Sequence, residues 1–162
     1  MTGDKLISIE ELLTRFNEYY ARGRMWGMNK EIEDLYHLSM PHTCTSKEGD
    51  MLTVVTTSVD TLAMYIIEKK EGLEKFKYRQ AAREIQLREA IRRLGYDNTR
   101  KGHLNNYMRS RGQYPIPFSL VPLQRELFKI VEEDRLRAQK LKAEKAEKER
   151  QHRLKMLNLH LN

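Results

Sequence analysis

The sequence predicts an all-α protein, and three observations favour helices over strands. Apolar residues recur at spacings of three and four along most of the chain. Only 8 Gly and 4 Pro occur among 162 residues, too few for a protein built on many tight turns. The one short stretch that could form a strand has no second β-branched run to pair with. We therefore expect a compact bundle of about five helices over residues 6–118, followed by a long C-terminal helix.

The first segment, residues 1–40, is predicted to be an acidic helical pair. Ser8 and Glu11 have the spacing of a capping box, which starts a helix directly after Ser8. Gly23 is predicted to end that helix, and a second apolar stripe follows until Pro41.

Residues 41–57 form a polar loop in this prediction, and within it residues 51–57 are either a short strand or an extended lead-in. His37, His42 and Cys44 lie close together in this part of the sequence. A structural zinc site needs four ligands, usually in two spaced pairs, and no second pair exists, so we expect no metal. A single cysteine cannot form an internal disulfide, which suits a reducing cytoplasm.

Residues 58–118 are predicted to be a basic helical core. A helix starts near Ser58, and Gly72 either ends it or lies inside a longer helix that stops at Gly95. No apolar stretch approaches the roughly 20 residues needed to span a bilayer, so we expect no membrane association.

The last segment, residues 119–162, is predicted to be one long charged helix. Such mixed-charge runs are typical of a solvated helix, alone or as one strand of a coiled coil. Glu144 with Lys148, and Lys145 with Glu149, have the spacing of ion pairs along a helix. The apolar start of the helix is predicted to contact a partner or a second copy through Leu120, Leu123, Leu127 and Val131.

Charge is distributed unevenly along the chain, whose formal net charge is +7. Residues 1–72 carry a net −4, residues 73–112 a net +7, and residues 113–162 a net +4. A basic stretch between acidic and mixed segments points to an anionic partner for the middle of the chain.

Residues 88–111 resemble a helix-turn-helix DNA-binding unit. The small Ala90 stands where two helices would cross closely, Leu94 and Gly95 would close the first helix, and a short polar turn precedes a second one. The resemblance implies that duplex DNA is the partner. The side chains that would contact bases or phosphates are Arg92, Arg93, Arg100, Lys101, His103, Asn105, Asn106, Arg109 and Arg111.

The order of elements is also similar to that of the ArpU- and RinA-like late-gene transcription regulators of bacteriophages. A short helical segment, a polar Ser/Thr loop and a long basic amphipathic helix carry this similarity. It implies a phage-encoded transcription regulator that also contacts the transcription machinery. A homodimer is favoured over a monomer, because two-fold pairing is common among helix-turn-helix proteins.

Three other interpretations stay open at this point. The basic helices could simply be solvated, or their interleaved Tyr and Arg residues could bind single strands or RNA. A protein adaptor or inhibitor acting on a host nucleic-acid enzyme is the main alternative function. The chain has no Gly-rich phosphate loop, no Gly-x-Ser-x-Gly and no His-Glu-x-x-His motif, so we expect neither an enzyme nor a cofactor.

Overall fold

A computed structural model describes residues 5–38 and 59–159, and it confirms the all-α prediction. Five helices and no strand occur among these residues. The helices are α1 (Ile9–Thr14), α2 (Glu18–Leu38), α3 (Val59–Arg93), α4 (Asn98–Arg109) and α5 (Val121–Leu159). The predicted polar loop at 41–57, with its candidate strand, His42 and Cys44, lies outside the described residues.

The start of the chain confirms the capping box. The Glu11 backbone N–H donates to Ser8 Oγ at 3.0 Å, and the Ser8 N–H donates to the Glu11 carboxylate at 3.4 Å. The predicted helix end at Gly23 is wrong, because α2 continues through that glycine. The break comes earlier, at Asn17, whose side-chain oxygen accepts from the Tyr19 N–H at 3.0 Å. A side chain that caps the first turn of a helix favours the start of a new helix at that residue. A glycine inside a helix lowers the helix's stability by only about 1 kcal/mol relative to Ala.

Helices α2 and α3 pack antiparallel along the first half of α3. Lys69 Nζ lies 2.7 Å from the Glu31 carboxylate, and Met28 lies next to Gly72. Since α3 is unbroken at Gly72, this glycine lies inside one long helix and does not end a shorter one. At 1.5 Å per residue, its 35 residues measure about 52 Å.

The turn between α3 and α4 begins at the predicted helix stop. Gly95 has φ +63°, the left-handed conformation of a helix stop, so this prediction is confirmed. Asp97 caps α4 by accepting from the Arg100 N–H at 2.8 Å. Beyond the end of α4, Gly112 has φ +85°, and a Cβ there would come within 3.0 Å of Leu13.

The core lies where the start of the chain, the end of α3, α4 and the start of α5 meet. Leu120, Leu123 and Leu127 are buried in it, and Val131 packs at its edge. Their apolar surface is thus already used within the chain, and partner contact through these residues stays a prediction. The other core residues are Ile7, Leu12, Phe16, Ala90, Tyr96, Leu104, Met108 and Ile130.

Candidate functional site

A cleft of about 500 Å³ lies between the α1–α2 junction, α3 and α4. Its floor is apolar because core residues reach it, and its rim carries charges of both signs. The floor consists of Phe16, Leu87, Ile91, Leu104 and Met108, and the rim includes Glu18, Glu84, Arg88, Arg92 and Lys101. This is the concave surface next to the helix-turn-helix-like segment, and we call it the α3–α4 cleft.

Only part of the set of nine predicted contact residues lines this cleft. Arg92, Lys101 and Asn105 line the α3–α4 cleft, where the Tyr19 hydroxyl donates to Asn105 Oδ1 at 2.9 Å. Asn106 and Arg109 are exposed elsewhere on α4. The structure therefore brings only three of the nine to the cleft.

Three other members of that set lie next to aromatic side chains. The Arg100 guanidinium lies 5.8 Å from the Tyr96 ring and 5.7 Å from the Phe118 ring. His103 Nδ1 lies 3.0 Å from the Tyr114 hydroxyl. Arg111 lies 6.0 Å from the ring of Tyr20. These contacts fold the turn and the segment after α4 against the helices.

Arg93 joins the end of α3 to the start of α5. Its guanidinium lies 2.9 Å from Glu89, 3.2 Å from Glu126 and 2.9 Å from Glu133, and its side chain is 30% exposed. These hydrogen bonds raise the pKa of Arg93 above its ordinary value. Gln86 adds a bond of 2.8 Å to Asp134, so α5 is tied to α3 at two places about two helical turns apart.

The same network makes stability depend on pH. Hydrogen bonds from Arg92 and then Arg93 lower the pKa of Glu89 to about 2, from an ordinary 4.5. A carboxylate with a lowered pKa in the fold stabilises it above the ordinary value and loses that contribution as the pH falls toward 2. We expect Glu89→Gln to lower the thermal midpoint at pH 7, with the difference from wild type shrinking below pH 4.5 and vanishing near pH 2.

Thermal unfolding at several pH values checks this expectation. Glu144→Gln is the matched control, because Glu144 is exposed on α5 and lies in no ion pair of the described structure. The control should leave the midpoint unchanged throughout. A deficit in Glu89→Gln that is the same at pH 7 and pH 2 would contradict the proposed ionic origin.

Part of the basic charge of residues 73–112 is compensated by carboxylates outside that stretch. Lys75 pairs with Glu71, whereas the pairs of Lys77 with Glu74 and of Arg92 with Glu89 lie within the stretch and are already counted in its net charge. Two of the carboxylates bound to Arg93 come from α5, beyond the stretch itself. Summing charges along the sequence therefore overstates the positive charge of this region by these three outside carboxylates.

The opposite holds for the protruding part of α5, residues 135–156, which we call the basic arm. It carries nine Lys and Arg against three Glu, a net charge of +6, and every one of its residues is exposed. Arg135 and Arg137 pair with carboxylates at the base of the arm. Sequence reasoning missed this site because Glu132, Glu133 and Asp134 lowered the charge sum of the whole segment.

The ion pairs predicted along the arm are not formed. In the described structure, neither Glu144 with Lys148 nor Lys145 with Glu149 comes within 4.0 Å. Exposed pairs at this spacing gain at most about 1 kcal/mol, against the entropy lost by two long side chains. Within the described part of the chain, the cations without a carboxylate within 4.0 Å include Lys140, Lys142, Lys145, Lys148, Arg150, Arg153 and Lys155.

Membrane-spanning helices and metal-binding clusters are both absent from residues 5–38 and 59–159. None of these helices has both the length and the apolar character required to span a membrane. No group of three or more His, Cys, Asp or Glu side chains among them is arranged to hold a metal ion.

The family of this chain is shown by its match to a known family model. The family model of the encapsidation protein CP3 matches residues 1–161, which is nearly the whole chain. The chain belongs to the encapsidation protein CP3 family. This family is viral. Neither a curated protein nor a solved structure matches the chain.

Membership of the CP3 family overturns the transcription-regulator prediction. The match describes an encapsidation protein over the full length of the chain, whereas the helix-turn-helix likeness covered only residues 88–111. The likeness to ArpU- and RinA-like regulators is likewise not supported, although the viral origin that it implied is. A helix, a glycine stop and a second capped helix are common in all-α proteins, so this local pattern does not specify DNA reading.

Proposed function

We propose that this protein takes part in viral encapsidation, and that it does so by binding rather than by catalysis. The observation that carries the proposal is the match of residues 1–161 to the encapsidation protein CP3 family. A function in particle assembly requires a stable body and an accessible surface for a partner. The fold provides both, as a compact core and a fully exposed basic arm.

The chemistry of the α3–α4 cleft supports binding as the mode of action. Two of the three cations on its rim face carboxylates, with Arg88 4.0 Å from Glu84 and Arg92 2.7 Å from Glu89. Ion pairs of this kind neutralise both partners and hold them in place, whereas general acid–base catalysis needs a group free to exchange a proton near neutral pH. The cleft therefore suits a role in packing and contact.

The proposal predicts the phenotype of a virus whose gene for this protein is interrupted. We expect infected cells to accumulate particles that lack most of the genome, because shell proteins would still be made while encapsidation fails. The measurement is the amount of nuclease-protected genome per unit of shell protein in purified particles. Supplying the intact protein from a plasmid is the control and should restore the wild-type ratio. Particles with a normal genome content in the interrupted virus would refute the proposal.

A further inference from the structure

We propose that the basic arm binds the phosphate backbone of duplex DNA without sequence preference. The inference rests on the proposed function for its biological setting, since encapsidation brings a viral protein close to the genome. It concerns residues 135–156, and it assigns no base reading to α4. The argument uses the charges, the exposure and the circumferential distribution of the side chains on this helix.

Unpaired cations are the first part of the argument. A Lys that already faces a carboxylate gives up that contact when it binds a phosphate, so its net gain is small. The lysines from Lys140 to Lys148 have no such contact in the described structure. Each can neutralise a phosphate and release a counterion, which is the dominant source of sequence-independent affinity for DNA.

The second part is that the cations lie on all sides of the helix. Residues five apart on an α-helix point about 140° from each other, given 3.6 residues per turn. Lys140, Lys145 and Arg150 are spaced in this way, so together they divide the circumference into arcs of about 140°, 140° and 80°. A helix charged all round suits a groove with phosphates along both walls.

The apolar residues of the arm argue against a membrane or a protein groove as its partner. A helix that lies on a membrane or in a protein groove needs a continuous apolar stripe. Leu136 and Leu154 lie on one side but about 27 Å apart along the axis, and Leu141 points about 140° away from Leu136. No continuous apolar stripe runs along the arm.

The dimensions of the arm favour a duplex over a single strand. An α-helix with its side chains is about 10–12 Å across, and the major groove of B-DNA is about 12 Å wide. Phe, Tyr and Trp, the large aromatic side chains on which the bases of single strands stack, are absent from residues 135–156. The arm thus offers charge and the right width, and none of these large aromatic rings.

The test compares two variants of the full chain that lose the same charge. Lys140, Lys142, Lys145 and Lys148 are all changed to Gln in the arm variant. Lys69, Lys75, Lys77 and Lys129, each in an ion pair, are changed to Gln in the control. Both variants carry a net +3 instead of +7. Gln is as good a helix former as Lys, and circular dichroism verifies that both variants stay helical.

The readout is fluorescence anisotropy of a labelled duplex of random sequence at several salt concentrations. Each phosphate contact contributes about −0.9 to the slope of log affinity against log salt. We expect the arm variant to lose about 3 to 4 units of slope and to bind at least roughly tenfold more weakly at low salt. The control should keep a slope within about one unit of wild type.

Several outcomes would overturn this inference. Equal losses in the two variants would show that net charge, and not the arm, sets the affinity. Equal affinity of the wild type for a single strand of the same length would refute the preference for a duplex. If a double variant, Lys101→Gln with Arg109→Gln, lost affinity for the duplex while the arm variant kept it, binding would be placed on α4. None of these results touches the particle experiment, which tests the encapsidation role by itself.

Discussion

Replacing Leu127 with Ala is expected to lower the free energy of unfolding by about 3 kcal/mol. Leu127 is 0% exposed and lies in the part of α5 that packs against the core. Removing three buried carbon atoms loses their transfer free energy and leaves a cavity, and such changes cost about 2–5 kcal/mol. The effect should be large because four separate parts of the chain meet at this helix.

Urea unfolding followed by circular dichroism measures this loss. Leu141→Ala is the matched control, since it makes the same change on the same helix at a position that is 65% exposed. It should alter the free energy of unfolding by less than about 0.5 kcal/mol. Similar losses in the two variants would mean that the core does not include the start of α5.

Changing Asn17 to Leu is expected to cost about 2 kcal/mol. Asn17 is 0% exposed and makes two side-chain hydrogen bonds. Its Oδ1 caps α2 through the Tyr19 N–H, and its Nδ2 donates to the Met108 carbonyl at 2.7 Å, which ties α2 to the end of α4. A lost cap and a lost buried hydrogen bond each cost about 1 kcal/mol.

Two comparisons separate these contributions in the same unfolding experiment. Asn17→Ser keeps a capping oxygen, but its side chain is too short to reach the Met108 carbonyl, so it should lose the tie to α4 while retaining the cap. Asn106→Leu makes the same change as Asn17→Leu at an exposed position of α4 and should be nearly neutral. An Asn17→Leu variant as stable as wild type would contradict both assigned roles.

Local signals in the sequence predicted the elements of the fold well. The capping box at Ser8 and the stop at Gly95 each depend on a few neighbouring residues, and both are present in the structure. The burial of Ala90 also followed from its place in the helix–turn–helix pattern. Such features are set by backbone hydrogen bonds and helical period, which a single sequence displays directly.

Features that depend on distant contacts were not predictable in this way. Asn17 interrupts an apolar stripe that looked continuous, and its bond to Met108 spans 91 residues. The carboxylates that neutralise Arg93 lie 33 and 40 residues further along the chain. The charge of the candidate site was therefore misjudged, because the sequence shows which cations exist but not which of them meet a carboxylate.

The attachment of α5 at its base sets which part of this helix is accessible to a ligand. Arg93 and Gln86 fix the start of this helix against α3, and the arm then extends about 33 Å past those contacts, at 1.5 Å per residue. A ligand held along that extension lies outside the footprint of the bundle. A ligand bound along the arm would thus leave the surface of the bundle uncovered.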